Sequence, residues 1–222
     1  MISADEPFRG AFPETRMCHI PFASCYVYSP GHLCAESRLL RFSVKAGNVR
    51  SLLDIAIRYD ADAPYFGLLA RFFPADAILV PIPGSRPHLY GRVSATERLA
   101  LALMRRGLGA RMWCGLRRVG SVRKSGTAPL GSRPSVQAHF DSMAVRGIEI
   151  PGASPVVLID DVVTKGRTLL AAALRLREVL PRADIRAFAL LRTLGYTRVA
   201  GGSLMPCVGS IEWRREDTRR TP

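Results

Sequence analysis

The sequence predicts an α/β fold in which a parallel sheet is flanked by helices. Two apolar runs carry much of that prediction, AILVPIP at 77–83 and SPVVLIDD at 154–161. Neither alternates apolar with polar residues, so both faces of each strand should be covered. The third observation is the order of segments: apolar runs alternate with helix-type stretches, as in a right-handed, helix-covered parallel sheet. The 222 residues are 48% hydrophobic and 23% charged, which is enough apolar material for one core and excludes a globally disordered chain.

Residues 1–47 read as an N-terminal extension, its first 35 rich in Pro, Gly, Cys and aromatics without periodicity. Residues 48–60 group Leu52, Leu53, Ile55, Ala56 and Ile57 as a helix does, and 64–73 continue as a second, with Pro64 tolerated in its first turn. The strand at 77–83 empties into the loop GSRP. Ser94 and Glu97 form a capping box that opens a helix through about Arg106. A strand over 111–119 follows, then a glycine- and serine-rich basic stretch to about Pro134, and a short strand over 142–145. The run at 154–161 is the strongest strand; Gly166 to Leu180 is a helix stopped by Pro181, and 185–193 is a further strand. The main domain therefore spans 48–200, and 201–222 form a C-terminal strand or tail, of which RREDTRR (214–220) reads as a frayed, solvated end. The class is α/β, a Rossmann-like parallel sheet flanked by helices, with an irregular N-terminal extension.

Thirty-two Lys and Arg against 18 Asp and Glu give a net charge of +14 and a pI near 10.6. Such a field favours anionic partners without choosing among nucleic acid, phosphorylated metabolites and acidic surfaces. Lys occurs only at positions 45, 124 and 165, and a GC-rich genome that writes Arg codons explains much of the Arg excess. Asp5 and Glu6 stand where a signal peptide carries positive charge, and no apolar run is long enough to span a bilayer, so a soluble, cytoplasmic protein without membrane association is expected. Five irregularly spaced cysteines do not form a disulfide framework. Cys18, His19, Cys25, His32 and Cys34 supply zinc-ligand types, but their spacing fits no common knuckle.

Chemistry concentrates in VVLIDDVVTKGRTL (156–169). In a parallel sheet, ligands bind beyond the carboxyl ends of strands. Here a buried strand delivers Asp160 and Asp161, and a short loop, Thr164 to Thr168, turns into a helix N-terminus whose free N–H groups and dipole attract an anion. Gly166 permits close backbone approach, the hydroxyls of Thr164 and Thr168 add donors, and Lys165 and Arg167 add positive charge. The acidic pair can accept hydrogen bonds from vicinal hydroxyls or face a hydrated metal ion. A phosphate site beside diol acceptors describes a cradle for a ribose 5-phosphate.

This stretch closely resembles the phosphoribosyl-pyrophosphate (PRPP) motif of type I phosphoribosyltransferases, and the resemblance extends over residues 76–195. Within that family it is closest to the competence-protein F (ComF)-like group, through VPIP, the spacing of Arg133, Val136 and Phe140, and LIDDVVTKGRTL. The resemblance implies a type I phosphoribosyltransferase fold. It implies that PRPP binds with its phosphate on Thr164, Lys165, Gly166, Arg167 and Thr168, and its pyrophosphate on Gly84, Ser85 and Arg86. It implies Mg2+ held through water by Asp160 and Asp161, and a mobile basic loop over 117–134 that closes on the ligand with Arg118, Arg123, Lys124 and Arg133. Asp160, Asp161, Arg123 and Lys124 are then the catalytic set, and a nucleobase or other nitrogen nucleophile accepts the phosphoribosyl group. A homodimer is the expected assembly. Three departures stand out: the group's N-terminal zinc finger is missing, YGRVSATERL (90–99) replaces its usual stretch after the pyrophosphate loop, and Lys165 replaces a loop Thr. Two alternatives to an active transferase stay open. One is a non-catalytic accessory protein of DNA uptake or DNA metabolism, partnered by DNA or a DNA-processing protein; the other is an unrelated phosphate-ester enzyme.

Overall fold

The structure, a computed structural model, describes residues 11–12, 19–29, 35–62, 67–87, 93–123, 133–147, 150–194, 202–214 and 217–222. Its elements run β1 (His19–Tyr28), α1 (Ala35–Ala46), α2 (Val49–Asp62), α3 (Leu68–Phe72), β2 (Ile78–Pro81), α4 (Ala95–Met104), β3 (Arg111–Met112), β4 (Leu116–Arg118), α5 (Val136–Asp141), β5 (Met143–Val145), β6 (Val156–Val163), α6 (Arg167–Arg177), β7 (Ile185–Thr193), β8 (Leu204–Arg214) and β9 (Asp217–Thr221). Seven strands form one sheet in the order β3-β2-β6-β7-β1-β8-β9, and β4 pairs with β5 in a separate ribbon. From β3 to β1 every pairing is parallel; β8 and β9 join antiparallel.

The α/β prediction holds, and so does its reason. Successive residues of the inner strands enter two different apolar layers. Val156 and Leu158 pack on one face with α5, α6 and the β4–β5 ribbon, whereas Val157 and Ile159 pack on the other with α1 to α4. A strand covered on both faces has no polar side to show, which is why its sequence does not alternate. The capping box forms as read: Ser94 Oγ accepts from the Glu97 N–H at 3.1 Å, and Glu97 Oε2 accepts from the Ser94 N–H at 2.6 Å. Among the described residues, no helix is long and apolar enough to cross a membrane.

Four sequence readings need correction. Residues 19–28, assigned to an irregular extension, are the strand β1, buried between β7 and β8. The sheet therefore draws on both ends of the chain, and a unit bounded at 48 and 200 leaves out β1, β8 and β9. HIPFASCYVY lacks simple alternation because both its faces are covered, the same pattern recognised at 154–161. The strand read over 111–119 is two pieces in different sheets. A Cβ on Gly115 would collide with the Trp113 ring and the Arg146 carbonyl, and here the chain leaves the main sheet for the ribbon. The predicted loop over 117–134 begins with β4, and residues 119–122 are tied down, with the Val119 N–H on Ser142 O and the Val122 N–H on Ser85 O. Residues 124–132 lie outside the described residues. Lastly, 217–220 of the supposed frayed tail belong to the edge strand β9, which runs on to Thr221.

Candidate functional site

The candidate site begins where β2 and β6 part. They pair in parallel up to Pro81 beside Ile159, with one further bond from the Ile82 N–H to the Ile159 carbonyl at 2.9 Å. Beyond that point β2 turns away into Pro83–Arg86, while β6 continues beside β7 as far as Val163. Both predicted loops consequently leave the sheet at its carboxyl edge from neighbouring strands. Asp160 and Asp161 sit at the divergence, each half-buried, and the Asp161 N–H donates to Asp160 Oδ1 at 2.8 Å.

Past Val163 the chain turns through Thr164 and Lys165, both exposed, into α6. The helix N-cap is Gly166 at φ 87°, and no side chain caps the first turn. Its leading N–H groups thus lack the usual side-chain acceptor, which suits an external anion. An open pocket of about 570 Å³ lies here, lined by Arg133, Asp160, Val162 to Thr168 and Leu169. All five residues predicted to hold phosphate line it, together with one of the two predicted carboxylates and one basic residue of the predicted loop.

The glycine has a packing role that its sequence does not suggest. A Cβ on Gly166 would lie 2.7 Å from Ile211 Cδ1, so the close approach that it permits is to β8. Gly84 is the contrasting case: it has no positive φ, and a Cβ there would meet nothing within 4 Å. Gly84 borders a smaller pocket of about 360 Å³ with Ser94, Glu97, Cys114 and Arg118, whereas Ser85 and the exposed Arg86 line neither cavity. Arg123 is exposed, and Lys124 lies outside the described residues. Of the zinc-type residues near the N-terminus, His19 and Cys25 fall on β1, whereas Cys18, His32 and Cys34 lie outside the described residues.

Arg118 is not a mobile phosphate contact. It is buried and braces the loop after β2: Nε donates to Gly84 O at 2.9 Å, and Nη1 donates to His139 O at 3.2 Å and Ser142 Oγ at 2.5 Å. Burial lowers its pKa to about 10, opposed by the charge of nearby Asp160. His139 completes a bridge, because its Nε2 lies 3.3 Å from Thr168 Oγ1. A line of hydrogen bonds therefore runs from the Gly84 loop through Arg118 and His139 to the head of α6. Sequence reasoning singled out neither Arg118 as a brace nor His139 at all. The available signal was Ser135, whose hydroxyl accepts from the Ala138 N–H at 3.1 Å and caps α5, the helix that carries His139.

The part that the C-terminal strands play at this site was missed as well. Asp217 on β9 accepts from Lys165 Nζ at 2.7 Å, from Arg167 Nε at 2.6 Å and from Arg167 Nη2 at 2.8 Å. Those charge-assisted bonds hold its carboxyl well below the usual carboxylate range. Arg167 Nη1 donates to the carbonyls of Arg133 and Pro134 at 3.3 and 3.1 Å. Arg220 on β9 donates to Thr164 O at 2.9 Å and Thr193 O at 2.6 Å. The turn predicted to grip phosphate is thus itself gripped by the C-terminal hairpin.

No family model matches the chain, and no curated protein matches it. Among solved structures, the adenine phosphoribosyltransferase of Leishmania tarentolae matches at a TM-score of 0.38 and 14% identity, over 75% of this chain and 91% of that one.

Proposed function

We propose that this chain is a phosphoribosyltransferase-like protein that binds PRPP with Mg2+ and transfers its phosphoribosyl group to a nitrogen acceptor, releasing pyrophosphate. One observation supports this reading above the others. Asp160, at the doubly acidic end of β6, faces across one pocket the uncapped N-terminus of α6. That juxtaposition offers acceptors for ribose hydroxyls on one side and donors for a phosphate on the other.

In this reading the N–H groups around Arg167 and Thr168, with the Thr164 and Thr168 hydroxyls, hold the 5-phosphate. Lys165 adds charge to that cradle. Asp160 and Asp161 take the ribose hydroxyls, and Gly84, Ser85 and Arg86 receive the pyrophosphate at the neighbouring loop. The bond from C1 to the pyrophosphate oxygen breaks as the acceptor nitrogen bonds to C1, and the departing electron pair stays with pyrophosphate. Arg123 and Lys124 would stabilise that developing charge, so catalysis rests on positioning and electrostatics. The carboxylate pair fits Mg2+. Among the described residues no cluster of three or more His, Cys, Asp or Glu could hold a metal, and Mg2+ is commonly bound by one or two carboxylates plus waters and substrate phosphates. When bound, it supplies charge neutralisation at the pyrophosphate and ribose oxygens.

Isothermal titration of Mg2+ and PRPP into the wild type and Asp160→Asn/Asp161→Asn tests the reading. Binding by the wild type that is lost in the folded double variant is the expected result, followed by pyrophosphate release with some base. A folded wild type that takes up no heat from PRPP would end this reading.

A further inference from the structure

We propose that the C-terminal hairpin is a latch on this anion pocket: Asp217 parks the Lys165 ammonium, and an anion in the pocket competes with Asp217 for it. The inference rests on reading the pocket as an anion site.

The two cations paired with Asp217 are not equivalent. Arg167 is committed on every side, since Nε and Nη2 grip Asp217 and Nη1 serves two carbonyls. It fastens β9 and residues 133–134 to the head of α6 and has little freedom to turn. Lys165 makes a single hydrogen bond among the described residues, to Asp217 Oδ2, and its side chain is 53% exposed. An ammonium carries three donors on a flexible stem, so Lys165 can exchange partners by rotating its own bonds. It also lines the pocket, whereas Asp217 does not. One carboxylate outside the cavity therefore holds a cation that an anion inside it would attract.

The hairpin is fastened to the same turn at two further points: Arg220 Nε holds the Thr164 carbonyl, and Ile211 fills the space over Gly166. Within β9 the Thr218 N–H donates to Asp217 Oδ1 at 2.7 Å and orients that carboxylate. These contacts fix the carboxylate independently of Lys165. Release of the lysine should accordingly leave the hairpin in place, and the competition is electrostatic.

Ribose 5-phosphate is the probe, titrated into the wild type, Asp217→Asn, Lys165→Met and the double variant at low and high salt. Asp217→Asn should bind roughly three- to tenfold tighter at low salt, as expected for removing a partly exposed competing charge, with the gain shrinking as salt rises. Lys165→Met should cost more affinity in the Asp217→Asn background than in the wild type. Equal or weaker binding by folded Asp217→Asn would overturn the latch while leaving the anion site standing. No binding by any of the four proteins would overturn both. If Asp217→Asn does not fold, the carboxyl-carbon NMR resonance of Asp217 in the wild type decides the question. It should shift on saturation with the probe, and an unmoved resonance would overturn the latch.

Discussion

His139 shows how a single side chain reports on the site. Its imidazole is buried, and its Nδ1 has no hydrogen-bond partner among the described residues. Burial lowers its pKa to about 4, and the neighbouring charges of Arg118 and Arg167 push in the same direction. The ring is therefore neutral in the folded protein at pH 7, and Thr168 meets an uncharged partner. In the unfolded chain the same group titrates near 6.5, so between about 6.5 and 4 the unfolded state binds more protons. Stability should be level above pH 6.5 and fall as pH drops towards 4, by up to roughly 3 kcal/mol from this residue. Urea titrations across that range should show the slope, and His139→Gln should flatten it. A wild-type curve level down to pH 4 would contradict the burial argument. That Asp160 and the turn from Thr164 to Thr168 would come together at the end of β6 was legible from residue type and spacing alone. The partners of Lys165 and Arg167 were not, because Asp217 is 50 residues away along the chain from Arg167.

At the scale of elements, the start of α6 depends on its neighbour. Gly166 needs its φ of 87°, where a Cβ is strained, and it needs the space that Ile211 fills. Gly166→Ala should therefore destabilise the fold by about 1–3 kcal/mol, combining backbone strain with overpacking. Ile211→Ala removes all three side-chain atoms that a Cβ at 166 would meet and so should relieve the steric part only; the Gly166→Ala substitution should cost less in that background but still more than zero. Denaturation of the four proteins in this cycle separates the two contributions, and equal costs in both backgrounds would mean that Ile211 is not the obstacle. The helix itself was read correctly, since its apolar spacing and the proline after it are local signals. The helix α5 was not, although Arg175 of α6 packs its guanidinium 3.5 Å from the Phe140 ring and donates to Phe140 O at 2.9 Å. One Ser and six residues leave too little pattern for a period to show.

For the whole molecule, the decisive feature is that β1 lies inside the sheet. It pairs with β7 in parallel from Phe22 to Tyr28 and with β8 antiparallel from His19 to Tyr26. Removing it would expose the edge of β7 and strip the support from β8 and β9, which carry Ile211, Asp217 and Arg220 to the candidate site. A fragment starting at residue 48, the boundary that composition suggested, should not fold cooperatively, whereas the full chain should. Circular dichroism melting of the two proteins checks this, and a sigmoidal melt for the fragment would mean that the sheet tolerates losing an inner strand.

The sequence by itself determined the α/β class, the two central strands, the capped helix α4 and the acidic strand end that leads into a helix N-terminus. Each is written in neighbouring residues, as apolar runs, caps and turn glycines acting over one or two turns of chain. Only the tertiary structure decided that the first strand belongs to the sheet, that Arg118 braces a loop, and that the last strand holds Lys165 and Arg167. Those arrangements depend on which strands become neighbours. Parallel pairing and charge pairing join residues far apart in the chain, and no local period records them.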